Sequence, residues 1–517
     1  MATLTFLGHA GLAVESSAFT LAFDPWMDPS GGYMGSWFQY PRNDHIAIEP
    51  LTQATYIAIS HEHLDHMDPW FLEQVGENTT VLIPKYPSSE FADRIQKTGI
   101  KKLVELEPWE RYPLDETGSW ITVIPELSPM CHDAAFLIVA DGRSILNCND
   151  ARLTAAQARR AKHLVGGRLD VMGVQASAAT WHPMRYSYPV EEQRRIAVEK
   201  RTSKLRSVRR LVKATAPELA VPFAGPPCFL DPELRELNWV LDPEHGAFID
   251  PEAAMSWLGE RLPQQSWGTF RPGDRLDLET GQVERDPVSA EFSFTENVEA
   301  YLQRYAEDRA ALIDETRTSH PDPGPDFPER FVAHFERLGT LSSYFLRQID
   351  MTVRFEITGP HGGVWDVRMN GAGLAIGPPA DERPGYIVTT PGRWVEPILA
   401  GAMAWEDLLL SLRFQLHRDP DVYNDYLVGL LKHANAPALQ AIEEYETGRD
   451  EAEKIIVTDG GRTFEIGRYC PHAGEDLSVG AVIENGRVYC LGHNFTFDLV
   501  TGQCVNARAM ALATREL

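Results

Sequence analysis

The run HEHLDH, His61 to His66, follows the apolar stretch ATYIAIS and ties the fold of this chain to one strand end. In an extended strand the side chains alternate, so His61 and His63 point the same way, and the turn beyond presents Asp65 and His66 together. Imidazoles and a carboxylate at this spacing are metal ligands of the kind that activate water without needing electrons. The short apolar strands and helical stretches that alternate around it read as a layered α/β structure with the sheet in the middle.

A second ligand pattern lies near the other end of the sequence. Cys470-Pro-His472 and Cys490-Leu-Gly-His493 form two loops separated by a hairpin. Two thiolates and two imidazoles are what a Rieske-type [2Fe-2S] cluster needs, with structural zinc as the alternative for the same donors. The stretches CPHAGEDLSVG and CLGHNFTFDLVTGQC resemble the cluster-binding loops of Rieske proteins, including the Gly before the second His and the Phe-Asp…Thr-Gly turn. That resemblance implies Cys470, His472, Cys490 and His493 as cluster ligands. Cys504 lacks ligand spacing. Leu491 occupies the place of the extra disulfide cysteine in cytochrome-complex Rieske domains, so the loops resemble the oxygenase or ferredoxin kind.

Length sets the number of cores. At 517 residues two to four domains are expected. A hydrophobic content of 43% and a charged content of 24% are ordinary for a globular protein. No apolar run approaches the eighteen or so residues of a membrane span, and the first residues read as a strand without signal-peptide features, so a cytoplasmic location is expected. A net charge of −26 argues against a nucleic-acid partner. Arg194 to Lys213 carries nine basic residues. It reads as a solvated helix face or as a basic surface for a phosphorylated substrate or an acidic electron-transfer partner. Six scattered cysteines do not make a disulfide framework.

Four segments are expected. Residues 1–290 alternate short strands with helical stretches. Residues 291–324 read as a charged helix ending in the Pro-rich break PDPGPDFPER. Residues 325–450 hold strands MTVRFEITG, GVWDVRMN and YIVTTP followed by two helices. Residues 451–517 return to strand and turn. The fold class is thus multidomain: an αββα sandwich, an α+β middle domain and a small all-β domain.

The first segment, with HEHLDH and the opening LGHAGLAVES…TLAFDPW, resembles the metallo-β-lactamase fold. The resemblance implies that His61, His63 and His132 hold one metal. Asp65 and His66 hold a second, and Asp150, at the end of ILNCND, bridges them. Asp65 and Asp150 are thereby the candidate catalytic carboxylates. That family's last histidine follows a late strand, which here reads LAVPFAGPP, with Phe223-Ala224-Gly225 in the histidine's place. His182 is the candidate replacement, against its reading as a loop histidine; an open position is the alternative. His9 and Cys131 read as structural. VWDVRMN with YIVTTPGRWVEPILAG…WEDLLLSLRF resembles a sterol-carrier-protein-2-like (SCP2-like) domain, whose sheet and helices can enclose an apolar tunnel. At their spacing, Trp394, Leu399, Trp405 and Leu409 read as core, and the domain as a scaffold.

Zinc is the usual metal of an HEHLDH site and has no redox chemistry. A Rieske cluster in the same chain makes non-haem iron, one or two atoms, the better match, because carboxylate and imidazole also suit iron with open positions. Two electrons and two protons would then reduce O₂, placing one oxygen on the substrate and releasing the other as water. The CMP-N-acetylneuraminate monooxygenase family combines these parts, and this chain resembles it in the Rieske loops, HEHLDH and the PFAG stretch. It departs in carrying the Rieske part C-terminally. The resemblance implies a monooxygenase acting on a small polar substrate: a nucleotide-sugar, an amino sugar or a natural-product intermediate. N-oxygenation or oxidative C–N cleavage by the same irons stays open, as do a zinc hydrolase or lactonase with a redox-sensing Rieske domain and a non-enzymatic electron-transfer protein. No flavin or nicotinamide fingerprint is present, so a ferredoxin, cytochrome b5-like protein or flavin reductase must donate electrons. A homo-oligomer is compatible with the sequence.

Overall fold

The computed structural model describes all residues except 1, 128–131, 178–179, 420, 422, 451, 472–473, 491–494 and 507–510. Cys131, His472 and His493 therefore lie outside the described residues. The chain divides into two compact units.

The first unit comprises 1–126, 131–179 and 194–314. Two sheets form it. One has eight strands and runs from the edge strand Val283–Glu284 and its neighbour Arg275–Asp277, through the hairpin Thr3–Gly8 and Gly11–Glu15, then Thr20–Phe23, Tyr56–Ala58 and Thr80–Pro84, to the edge strand Lys102–Leu106. The other has six, with Trp120–Pro125, Ala134–Ala140 and Arg143–Asn147 antiparallel, then Val171–Gln175 and Leu219–Phe223 parallel. Alternation along the strands divides the apolar residues between faces. Leu4, Phe6, Leu12 and Phe23 of the first sheet meet Ile121, Val123, Phe136 and Val221 of the second in one buried core. Each such side chain stabilises by about 1.5–3 kcal/mol.

The opposite faces carry helices. Phe71, Phe91 and Ile95 pack with Ile57, Val81 and Ile83 on the first sheet. Ala158, Leu205, Val208 and Leu258 cover Leu137, Leu146 and Met172 on the second. Helix on sheet, sheet on sheet and sheet on helix is the expected αββα sandwich. The basic run falls within one helix, Val190–Thr215. It is not a uniformly solvated face: Leu205, Val208, Leu211 and Val212 pack into the second sheet's outer core, and Arg201 donates to the carbonyls of Pro243, Glu244 and Gly246.

The second unit comprises 127–130, 180–193 and 315–517. Its five-stranded sheet is ordered Gly373–Gly377, Gly363–Asn370, Met351–Thr358, Tyr386–Pro391, Gln415–Arg418. Helices Phe327–Leu338 and Ser343–Ile349 pack against it. The Pro-rich stretch does not end all helical structure near 330. Pro328 lies in the first turn of Phe327–Leu338, where its missing N–H costs nothing. The interior is aromatic: Phe331, Phe335, Phe355 and Trp405 pack ring against ring in tilted pairs, and Trp394 and Trp405 are each 2% exposed. Two three-stranded sheets close the unit, Lys454–Asp459, Arg462–Gly467 and Thr514–Glu516, and Ala481–Glu484, Arg487–Cys490 and Thr496–Asp498. Among the described residues, no helix is long and apolar enough to cross a membrane.

Candidate metal and cluster sites

The strand Tyr56–Ala58 delivers HEHLDH into the interior. His61, Asp65 and His66 are buried, and each ring is fixed from behind. Asp24, fully buried with a left-handed φ of 40°, accepts the Ser60 N–H at 2.8 Å and the Ser60 hydroxyl at 2.7 Å. It also accepts His66 Nδ1 at 2.9 Å. The Ser60 oxygen in turn lies 2.9 Å from His61 Nδ1. With both Nδ1 atoms engaged, the Nε2 atoms face inward, as a carboxylate or hydroxyl behind a metal-binding histidine arranges.

The inward atoms form two groups able to hold a metal: His61, His63 and Asp150, and His9, Asp65 and His66. In the first, His61 Nε2 lies 2.8 Å from His63 Nδ1. In the second, Asp65 Oδ2 lies 2.9 Å from His9 Nε2 and 3.7 Å from His66 Nε2, while Tyr33 donates its hydroxyl to Asp65 Oδ1 at 2.5 Å. Asp150 joins the groups, because its Oδ1 also stands 3.5 Å from His66 Nε2. Both of those atoms are buried without a well-formed hydrogen bond, as is His9 Nδ1. Buried polar atoms are rarely left so, and a bound cation would satisfy the first two. The donor set, imidazole nitrogens and carboxylate oxygens, fits iron or zinc.

The charges are correspondingly displaced. Burial opposes the His66 imidazolium, but Asp150 and Asp65 hold its pKa well above the usual histidine value. Burial opposes ionisation of Asp65 as well, yet His66 and His9 keep it well below the ordinary carboxylate range. Asp133 goes the other way. Burial, reinforced by Asp150 and Glu126, pushes it well up.

His132 and His182 stand in neither group. The His132 ring stacks on Tyr86 with centroids 4.9 Å apart, and Asp133 Oδ1 is the atom that lies 3.4 Å from His61 Nδ1. His182 belongs to the second unit, with Nε2 3.1 Å from the Tyr188 hydroxyl, which donates to Asp421 at 2.8 Å. His9, Asp24 and Asp133 are the residues the motif reading missed. The signal for His9 was its place in a glycine-flanked turn, LGHAG, where a left-handed histidine needs a reason.

Cys470 and Cys490 are buried in one apolar cluster with Phe464, Leu477, Phe495 and Phe497. Neither is in a disulfide. Cys470 N–H donates to Glu475 O and Gly474 N–H to Cys470 O, curling the first loop, and Cys490 N–H donates to Phe495 O, closing the second. Two buried thiols in one apolar cluster fit the thiolate half of a [2Fe-2S] cluster, while His472 and His493 lie outside the described residues. Residues 435–515 match the family model of the Rieske [2Fe-2S] domain. The C-terminal module is a Rieske domain.

The chain has relatives along nearly its whole length. It is 29% identical to a putative Rieske 2Fe-2S iron-sulfur protein of Mycolicibacterium smegmatis, covering 99% of this chain and 100% of that one. It is 23% identical to the cytidine monophosphate-N-acetylneuraminic acid hydroxylase of Cricetulus griseus, covering 81% and 73%. Among solved structures, CmlA, a diiron β-hydroxylase from Streptomyces venezuelae, matches at 16% identity and a TM-score of 0.37, covering 55% and 54%.

Proposed function

We propose that this Rieske protein is an O₂-dependent monooxygenase that hydroxylates a small polar substrate at a non-haem iron site in the αββα unit. The observation that carries the reading is Asp150, which joins two ligand groups, one buried and one half-buried, in a chain that also holds a Rieske domain. Hydrolysis at such a site needs no electrons; a one-electron carrier in the same chain is useful only to a redox metal. Iron bound there would supply O₂ binding and reduction.

The protein's own residues have definable parts in this. Asp24 and Ser60 fix the tautomers of His66 and His61, and Tyr33 holds Asp65. His9, His61, Asp65 and His66 are buried, which limits the access of bulk water to their side of an oxidising site. The likeness to a hydroxylase that carries a nucleotide-sugar in its name supports a nucleotide-sugar or amino-sugar substrate. N-oxygenation or C–N cleavage would use the same residues on a differently placed substrate. Electrons would come from a ferredoxin, cytochrome b5-like protein or flavin reductase. The 325–450 segment, with its filled aromatic interior, serves in this reading as a scaffold, and its SCP2-like resemblance does not require a lipid ligand.

Metal analysis with EPR on anaerobically purified protein, before and after dithionite, tests the proposal. Three or four irons per chain, a Rieske-type signal on reduction, and product formation that stops without O₂ are expected. Two irons with zinc filling the sandwich, and turnover indifferent to O₂, would replace it with a zinc hydrolase or lactonase.

A further inference from the structure

The late strand Leu219–Phe223 ends where a metallo-β-lactamase-like chain would place its last metal-binding histidine, and this sequence has Ala224 and Gly225 there. Both are left-handed, with φ of 55° and 105°. Their corner is not vacant. The Ala224 N–H donates to the His9 carbonyl at 2.9 Å, and a Cβ built on Gly225 would lie 3.9 Å from Cε1 of the His9 ring. The imidazole that the late strand lacks is therefore present at the same corner, brought by the turn between Thr3–Gly8 and Gly11–Glu15.

The His9 backbone and surroundings suit that task. Its φ of 51° costs about 1 kcal/mol or more in a residue that is not glycine, asparagine or aspartate, a cost that persists where the surroundings hold it. The side chain is 4% exposed and meets Trp26 edge-on at 5.3 Å and His66 at 5.7 Å. Its Nε2 points to Asp65 Oδ2 at 2.9 Å, and its Nδ1 has no hydrogen-bond partner. A histidine recruited only for packing would not need to aim a ring nitrogen at the carboxylate of HEHLDH.

We propose that His9 is a ligand of the second metal, together with Asp65, His66 and the shared Asp150, and that it replaces the missing late-strand histidine. The second site is thereby closed by the N-terminal hairpin, at the corner that Ala224 and Gly225 form. The inference rests on the reading that the αββα unit binds metal, but not on which metal or reaction.

His9→Asn tests it, because asparagine tolerates the left-handed turn and is a poor ligand. The intact chain and the variant are stripped, reloaded anaerobically with ferrous iron or, separately, with cobalt(II), and assayed for metal per chain beyond the two irons of the Rieske cluster. The expected result is loss of one equivalent, or about 100-fold weaker binding of it, with the cluster's EPR signal and the melting temperature retained. His63→Asn serves as the comparison, expected to weaken the other equivalent. Full occupancy in His9→Asn would overturn the ligand role while leaving the oxygenase reading intact. A wild-type sandwich that binds neither metal would overturn both. Zinc as the native metal with one equivalent lost in His9→Asn would overturn only the oxygenase.

Discussion

The Asp24 carboxylate receives Nδ1 of His66 at 2.9 Å, with both side chains wholly out of solvent. Because Asp24 also receives two groups from Ser60, one carboxylate orients the rings of both ligand groups. Asp24→Asn is expected to weaken metal binding about 10–100-fold, as loss of a carboxylate behind a histidine ligand does. Asp24→Ala, which leaves buried donors unmet, is expected to destabilise the protein by about 2–4 kcal/mol. Chelator competition and thermal unfolding measure the two effects; unchanged metal affinity in Asp24→Asn would count against this role.

Asp150 is the shared member of the two groups, so Asp150→Ala should lower occupancy of both metal positions together. The Rieske cluster, held by residues of a different unit, should remain. Iron per chain and EPR on the reduced protein read this directly. Loss of a single equivalent would show that Asp150 serves one metal and not two.

Arg449 bears on the cluster. Its guanidinium packs against Gly474 in the first cluster loop so closely that a Cβ there would stand 1.3 Å from Nη1. Behind it, Glu446 is held by the hydroxyls of Tyr344 at 2.7 Å and Tyr426 at 2.8 Å, and lies 3.6 Å from Arg449. A buried cation favours the reduced, more negative cluster. Arg449→Gln should therefore shift the reduction equilibrium about tenfold toward the oxidised form, close to 59 mV downward for one electron. Arg449→Lys should restore most of it. A potentiometric titration followed by EPR decides, and an unmoved midpoint would reject the idea.

His334 predicts a pH dependence of stability. Burial, with Arg337 beside it, pushes its pKa down to about 4, and its Nε2 accepts the Trp405 indole N–H at 3.0 Å. The unfolded histidine titrates near 6.5. Between those values the unfolded chain takes up a proton that the folded chain refuses, so stability is complete above about 6.5 and falls as pH drops toward 4. The loss between pH 7 and 5 should be about 2 kcal/mol. His334→Gln, which can still accept from Trp405, should remove that share of the slope in denaturant unfolding at the two pH values.

Much of this was legible in the sequence because it is local. HEHLDH follows its strand directly, and the apolar alternation that makes the two sheets is written in short runs such as TLTFLG and WITVIP. Asp150 stood out because it follows a clearly apolar strand, Arg143–Asn147, by three residues. The rest depends on contacts across the fold. His9 meets Asp65 only after the N-terminal hairpin and the HEHLDH turn have been brought to one sheet edge, and nothing in its neighbours has ligand spacing. Asp133 is overshadowed by its neighbour: sequence marks His132, but the turn sends the carboxylate toward His61 and the ring onto Tyr86. The helix Phe327–Leu338 was hidden by Pro328, whose meaning depends on whether it falls inside a helix or at its first turn.

The segment 180–193 belongs to the second unit although the first unit's chain precedes and follows it. There Leu416 exchanges backbone hydrogen bonds with Arg185 and Ser187, and Tyr188 donates to Asp421. On the ribosome this stretch emerges long before residues 415–421, so its pairing must wait for most of the chain. A cut placed near residue 314 would give one fragment with an unpaired tyrosine-rich segment and another with an uncovered sheet edge. The two units are therefore interleaved in the gene, and neither can be exchanged between proteins by a single crossover.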